Sequence, residues 1–234
     1  MRRVGHKGAD LLAPGNTIAS FDAALAAGVD MIEFDVLPER QGDIDAPLVL
    51  AHDFEDAASR SPHTLAEGLD HLSSDAFAGI ELDVDLKLPG YELEVVDALR
   101  ERCLLRRALV TSQYRESLAL IRRAAPSLRL GWSVPRLRRD PFRSRLLRPA
   151  ALAAMEYGRA VIPGRAAAAV KAGACDALMA HWRLVTPRLV RQVEAAGGEL
   201  YVWTVDEPPL LRSMYSLGVS GVITNDPRLF SAVA

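Results

Sequence analysis

Between Val4 and Asp53 the chain places, in order, His6-Lys7-Gly8, Pro14-Gly15-Asn16-Thr17, Glu33-Phe34-Asp35 and His52-Asp53. Glu33 and Asp35 stand at i and i+2 of the apolar run 31–36, so in a strand both carboxylates leave on the same side. Two carboxylates buried side by side are costly unless a cation joins them, and a shared pair of oxygen donors suits a hard divalent ion such as Mg²⁺ or Ca²⁺. Mn²⁺ accepts the same donors. His6 and His52 each fall near the end of a short apolar run, and unperturbed imidazole titrates near neutral pH. Paired carboxylates with paired imidazoles make up a kit for metal-assisted acid/base chemistry.

These residues need elements that carry them to one place. Apolar runs of strand length recur at 2–5, 31–36, 79–86, 108–112, 128–134, 176–181, 199–205 and 221–224. Stretches of helical period lie at 17–27, 64–73, 90–102, 114–125, 148–172, 186–196, 207–217 and 226–233. Thr17 and Thr186 stand where N-caps belong, Pro187 takes a first helical position, and Gly28, Gly197 and Gly218 follow helix ends. Eight β/α units without a break in composition predict a compact α/β fold, a closed parallel (β/α)8 TIM barrel, as one domain over 1–234. An open doubly wound sheet is the alternative. The piece Leu48-Val49-Leu50 is expected as an excursion after the second strand that carries His52 back over the barrel mouth.

Chemistry in such a barrel collects at the C-terminal ends of the strands. His6, Glu33, Asp35, Asp85, Lys87, Ser112, Gln113, His181, Trp203, Asp206, Asn225 and Asp226 all fall there. Strand alternation puts Glu81, Asp83, Asp85 and Lys87 on one side, which predicts a mouth lined by carboxylates and a lysine. Asp83 reads equally as a spare ligand or a structural carboxylate. For His63, His71 and His181, a satisfied structural hydrogen bond is the better reading than catalysis.

Composition excludes several classes of function. With 234 residues, 50% hydrophobic and 25% charged, the chain is long enough for one sizeable core. A net charge of -2 and a pI near 6.2 leave no electrostatic footprint for nucleic acid. The first residues turn polar too soon for a signal peptide and no apolar run spans a bilayer, so a cytoplasmic location is expected. Cys103 and Cys175, far apart in sequence, are expected as buried thiols. The segment from Pro135 to Arg148 interleaves arginines with Leu137, Phe142, Leu146 and Leu147; a solvated loop is preferred there over contact with an anionic membrane. Nothing in the sequence speaks to oligomeric state.

The ordered motifs His6-Lys7-Gly8, Pro14-Gly15-Asn16-Thr17, Glu33-Phe34-Asp35, His52-Asp53 and Asp85-Leu86-Lys87 resemble those of the glycerophosphodiester phosphodiesterase family. Trp203-Thr204-Val205-Asp206 and the closing run from Gly218 to Pro227 extend the resemblance over nearly the whole chain. It implies a β/α barrel, a divalent cation, and hydrolysis of a small-molecule glycerophosphodiester to glycerol 3-phosphate and an alcohol. It implies His6 and His52 as the acid/base pair, and Glu33, Asp35 and Asp85 as metal ligands. Lys7, Asn16 and Lys87 become substrate contacts, Lys87 as a cation beside the phosphate; Trp203 is expected to touch substrate as a wall of the pocket, with core packing the alternative.

This chain departs from the family pattern at three positions. Lys7 stands for the usual arginine, Asp85 for the usual glutamate, and Gly15 for the glutamate before Asn-Thr. The last deletes a carboxylate from the first loop. A catalytically silent phosphodiester-binding barrel, or a lysophospholipase D-type enzyme acting on lipid, are the rival expectations.

Overall fold

Alternation along two neighbouring strands shows how the barrel is built. In β2 (Met31–Pro38), Ile32, Phe34 and Val36 face outward into an apolar layer shared with the helices, whereas Met31 joins a cluster inside the barrel. In β4 (Glu81–Leu86), Leu82, Val84 and Leu86 belong to the same outer layer. The residues between them, Glu33 and Asp35 on β2 and Asp83 and Asp85 on β4, therefore face the barrel axis. Parallel register sets Glu33 beside Asp83 and Asp35 beside Asp85.

The computed structural model describes residues 1–43, 46–135 and 148–232. The remaining strands are β1 (Arg2–Gly5), β3 (Leu48–Leu50), β5 (Ala108–Ser112), β6 (Arg129–Val134), β7 (Ala177–His181), β8 (Glu199–Trp203) and β9 (Gly221–Thr224). Gly5 of β1 pairs with Thr224 of β9 on one side and Ile32 of β2 on the other, which closes eight parallel strands into a (β/α)8 barrel. The open doubly wound sheet is excluded by that closure. β3 pairs antiparallel with the end of β2, Val36 opposite Leu50, and so turns the chain back toward the mouth as expected.

Around the barrel run α1 (Ile18–Ala26), α2 (Phe54–Ser59), α3 (Leu65–Leu72), α4 (Glu92–Glu101), α5 (Arg115–Ala124), α6 (Arg148–Lys171), α7 (Pro187–Ala195) and α8 (Pro208–Leu217). The Thr17 and Thr186 side chains accept from Ser20 N and Leu189 N, as N-caps do. Gly218 ends α8 in the left-handed region at φ 77°, which glycine adopts without a Cβ penalty. No helix among the described residues is long and apolar enough to cross a membrane.

Four expectations are corrected, and one element is added. Where an α-helix was expected over 226–233, the described residues form a 3₁₀ segment, Pro227–Ala232. Residues 54–59, given no element from periodicity, form α2, whose single turn and a half is too short to show a period. The strand expected over 199–205 ends at Trp203, beyond which Val205 N turns to bond Ile223 O at 3.0 Å. Glu81 shares the inward side of β4 but sits at the floor, bound to Arg2 at 2.9 Å and Arg129 at 2.8 Å, because it begins the strand that Asp85 nearly ends. Cys103 is exposed, whereas Cys175 is buried as expected. The arginine-rich stretch 136–147 lies outside the described residues.

Three layers fill the interior. At the floor, Arg129 joins Glu81 and Glu199, with the Tyr201 hydroxyl alongside. Above them Val4, Met31, Leu109, Ala177, Met179, Tyr201 and Ile223 form an apolar plug. The carboxylates begin where this plug ends.

Candidate active site

A cavity of about 200 Å³ opens at the C-terminal ends of the strands, lined by His6, Glu33, His52, Asp83, Asp85, Lys87 and, across the mouth, Gln113, Ser133, Met179, Trp203 and Thr204. Of the sequence-predicted residues, His6, His52, Glu33, Asp85, Lys87 and Trp203 border it directly. Asp35 lies beneath the rim, fully buried.

Glu33, Asp35 and Asp85 each offer one carboxylate oxygen within 4.8 Å of the other two. Lys87 reaches into this group, its Nζ 2.5 Å from Asp35 Oδ1 and 2.8 Å from Asp85 Oδ2. One ammonium facing four carboxylates, Asp83 included, leaves a surplus of negative charge with little water to screen it. The electrostatics express that surplus. Burial, then the neighbouring Asp35 and Asp83 charges, push the Glu33 carboxyl well above its ordinary range. Burial also acts most strongly on Asp35, upward, but Lys87, His52, Lys7 and His6 together outweigh it and hold Asp35 below the ordinary range. Asp83 is pushed up to about 8 by burial and by Asp85, and Thr111 Oγ1 donates to it at 2.8 Å. Lys87 is held well above its ordinary value because the attraction of Asp35, Asp85 and Glu33 outweighs the opposing effect of burial.

Three converging oxygen donors with uncompensated charge fit a hard divalent cation, which relieves the crowding that pushes the Glu33 carboxyl up. The donor set is all oxygen and therefore does not by itself choose among Mg²⁺, Ca²⁺ and Mn²⁺.

The first loop frames this cluster with its backbone. Lys7 N donates to Glu33 Oε2 at 2.8 Å, and Lys7 and Asn16 both occupy the left-handed region, at φ 50° and 57°. The Asn16 side chain brackets Asp35, its Nδ2 donating to Oδ2 at 2.9 Å and its Oδ1 accepting from Asp35 N at 3.0 Å. Asn16 is 1% exposed, and neither it nor Lys7 is among the residues lining the cavity; Lys7 Nζ turns instead toward Asp10, 3.8 Å away. Gly15 N donates to Asp10 Oδ1 at 2.9 Å. A Cβ built at Gly15 meets that same oxygen at 2.5 Å, so Asp10 occupies the space where a residue-15 side chain would start.

The two histidines are held differently. His6 continues from β1, its N donating to Thr224 O at 2.8 Å, and its Nδ1 lies 2.6 Å from Asn225 Oδ1. Its Nε2 is 3.8 Å from Glu33 Oε2. Burial is the main influence on this ring and lowers its pKa. His52, about half exposed, is placed by α2: Asp53 caps that helix through Oδ1, accepting from Asp56 N at 2.8 Å, and sets Oδ2 3.1 Å from His52 Nδ1. Asp56, in turn gripped by Arg60, accepts His52 N at 3.0 Å. Asp53 in N-cap position with Glu55 and Asp56 in the first turn was a readable helix start in the sequence.

His181 stacks on Trp182 at 5.6 Å, meets Trp203 edge-on at 5.1 Å, and its Nδ1 accepts from Arg183 N at 3.2 Å. His71 Nε2 bonds Asp22 at 2.7 Å on the outer face. Both agree with structural roles. Thr111, which holds Asp83 and Asp85, carried no sequence signal, since a threonine in an apolar strand is ordinary.

A closed (β/α)8 barrel whose strand ends carry carboxylates, a lysine and two imidazoles around one cavity defines the class, a barrel with acid and base groups at its C-terminal mouth. The model of the glycerophosphoryl diester phosphodiesterase family matches residues 6–60 and 57–229, and the chain belongs to that family. It is 26% identical to a glycerophosphodiester phosphodiesterase of Caldanaerobacter subterraneus over 96% of this chain and 93% of that one. Its fold is shared with a glycerophosphodiester phosphodiesterase of Agrobacterium tumefaciens, at TM-score 0.72, 20% identity and complete coverage of both chains. It is shared as well with an Oleispira antarctica phosphodiesterase in complex with the product sn-glycerol-3-phosphate, at TM-score 0.69 and 18% identity, covering 100% of this chain and 96% of that one.

Proposed function

We propose that this protein hydrolyses glycerophosphodiesters to glycerol 3-phosphate and an alcohol, with His6 and His52 exchanging the protons and Glu33, Asp35 and Asp85 holding a divalent cation. The observation that carries the reading is the convergence of the three carboxylates beside a cavity that His6 and His52 also line. Family membership and the product bound by the Oleispira antarctica relative support the substrate class.

Attack on the phosphorus builds negative charge on the non-bridging oxygens, and a bound cation supplies charge neutralisation there. Lys87 adds a fixed positive charge that Asp35 and Asp85 aim at the cavity. One imidazole takes a proton from the attacking oxygen, that of water or of the neighbouring glycerol hydroxyl, as the new P–O bond forms; in the second case a water then opens the cyclic phosphate in a further round. The other delivers a proton to the departing alcohol oxygen as the old P–O bond breaks, so that each ends ready to reset through water. Trp203 and Met179 offer apolar walls for the carbon skeleton. The cavity, at about 200 Å³, is smaller than the ~300 Å³ at which drug-sized pockets begin, which favours a compact polar substrate.

The test is release of glycerol 3-phosphate from glycerophosphocholine with Mg²⁺ or Ca²⁺, beside turnover of a lysolipid. Active wild type with His6→Ala and His52→Ala each slower by about 10²-fold or more, at unchanged circular dichroism, is the expected result. Ligand that binds without cleavage points to a silent barrel, and preference for the lysolipid points to a lipid phosphodiesterase.

A further inference from the structure

Three groups at the closing seam of the barrel leave one another no choice of role. Asp206 follows β8, Asn225 follows β9, and His6 follows β1, so the three meet where neighbouring strands end. Asp206 Oδ1 accepts from Asn225 N at 2.8 Å and from Thr224 Oγ1 at 3.0 Å, and its Oδ2 faces Asn225 Nδ2 at 2.6 Å. An ionised carboxylate only accepts, so the end of the Asn225 amide that faces it must be the NH₂. The other end is then the carbonyl, and it lies 2.6 Å from His6 Nδ1. A carbonyl also only accepts, so Nδ1 must carry the proton and donate it. In the neutral ring Nε2 is thereby left bare, on the side that faces Glu33 at 3.8 Å and the cavity.

We propose that Asn225 is a positioning residue that transmits the acceptor character of Asp206 to His6, fixing the imidazole with its proton on Nδ1 and its lone pair on Nε2. The proposal rests on the reading of His6 as a proton-transfer group. Leu11 N donates to Asn225 O at 3.0 Å and His6 N to Thr224 O at 2.8 Å, so the backbones that carry the amide and the ring are themselves pinned. A flipped Asn225 would set its carbonyl against the Asp206 carboxylate, two acceptors at 2.6 Å, and its NH₂ against Nδ1. Asp206 therefore excludes the wrong tautomer without touching the ring.

The isosteric variant Asp206→Asn separates this role from mere packing. Asn225 N and Thr224 Oγ1 both donate to Oδ1, so the new amide keeps its oxygen there and turns its NH₂ toward Asn225. Asn225 then flips to accept, offers its own NH₂ to His6, and moves the ring proton to Nε2. ¹⁵N spectra of the imidazoles, with His6 identified by its absence in His6→Ala, read the tautomer in mildly alkaline buffer without any metal. The expected result is Nδ1–H in the wild type and Nε2–H in Asp206→Asn, with kcat for glycerophosphocholine down by about 10²-fold and KM within twofold. Should Asp206→Asn not fold, Asn225→Leu removes the acceptor and is expected to lose the bonded Nδ1–H signal and the same share of kcat.

An Nε2–H tautomer in the wild type overturns the proposal outright, as does an unchanged tautomer in folded Asp206→Asn. An inverted tautomer with undiminished kcat overturns it as a statement about turnover. If in that case His6→Ala is also fully active, the fault lies in the proton-transfer reading of His6 and not in the hydrogen-bond chain.

Discussion

At the scale of residues, the site is organised by unbalanced charge. Lys87 satisfies Asp35 and Asp85, while Glu33 is left among carboxylates and pushed well up by burial and by Asp35 and Asp83. A divalent ion that binds only the folded arrangement stabilises it by mass action, about 2.7 kcal/mol at a hundred times Kd. For a chain of this length, that corresponds to a rise in Tm of roughly 5–10 °C. Thermal melts with Mg²⁺ or Ca²⁺ are expected to show the rise and a chelator to reverse it. Asp85→Ala, which removes one of the three oxygen donors, is expected to lose most of the shift; a full shift in that variant removes Asp85 from the ligand set.

At the scale of elements, short local structures decide where the chemical groups end up. α2 exists to place His52, since Asp53 and Asp56 hold the ring and the backbone of that residue while capping and bridging the helix. The first loop does the same for the carboxylates, Asn16 bracketing Asp35 and Lys7 N holding Glu33. Asp10 fills the space beside Gly15, its Oδ1 2.5 Å from where a Cβ would stand. Gly15→Glu is therefore expected to crowd the loop and to destabilise by roughly 1–3 kcal/mol, read as a lower denaturant midpoint. Removing the obstruction with Asp10→Ala in the same chain is expected to recover most of that loss. Additive effects in the double variant would show that the two positions do not compete for one space.

At the scale of the whole molecule, closure is what joins distant segments into one interior. The floor draws Arg2 from β1, Glu81 from β4, Arg129 from β6 and Tyr201 from β8 into one network around a fully buried phenol. Burial, followed by the Glu199 charge, raises the Tyr201 pKa from 10.0 to about 12. The folded state thus keeps a proton that the unfolded chain releases, so this contribution is intact below about pH 10 and is lost as pH climbs toward the folded value. Between about pH 9 and pH 11 the wild type is expected to lose roughly 1.4 kcal/mol more stability than Tyr201→Phe, which has no proton to release. Urea titrations of both proteins at the two pH values measure the difference; equal losses would show that the phenol does not titrate as a buried group.

Much of this was legible before the fold, and the part that was not shares one cause. The i, i+2 carboxylates, the strand and helix periods, the Thr17 and Thr186 caps and the return of the chain at Leu48 are local, because backbone geometry and side-chain periodicity are properties of neighbours in sequence. Glu81 shows the limit: alternation put it on the inward side, but only its place along the barrel axis sent it to the floor beside Arg129. The pairing of Asn16 with Asp35, Lys87 with two carboxylates, and Asp206 with Asn225 and His6 links residues up to 219 positions apart. Such contacts follow from which strand ends close against which, and closure is set by the packing of the whole sheet against its helices, not by any stretch of chain alone.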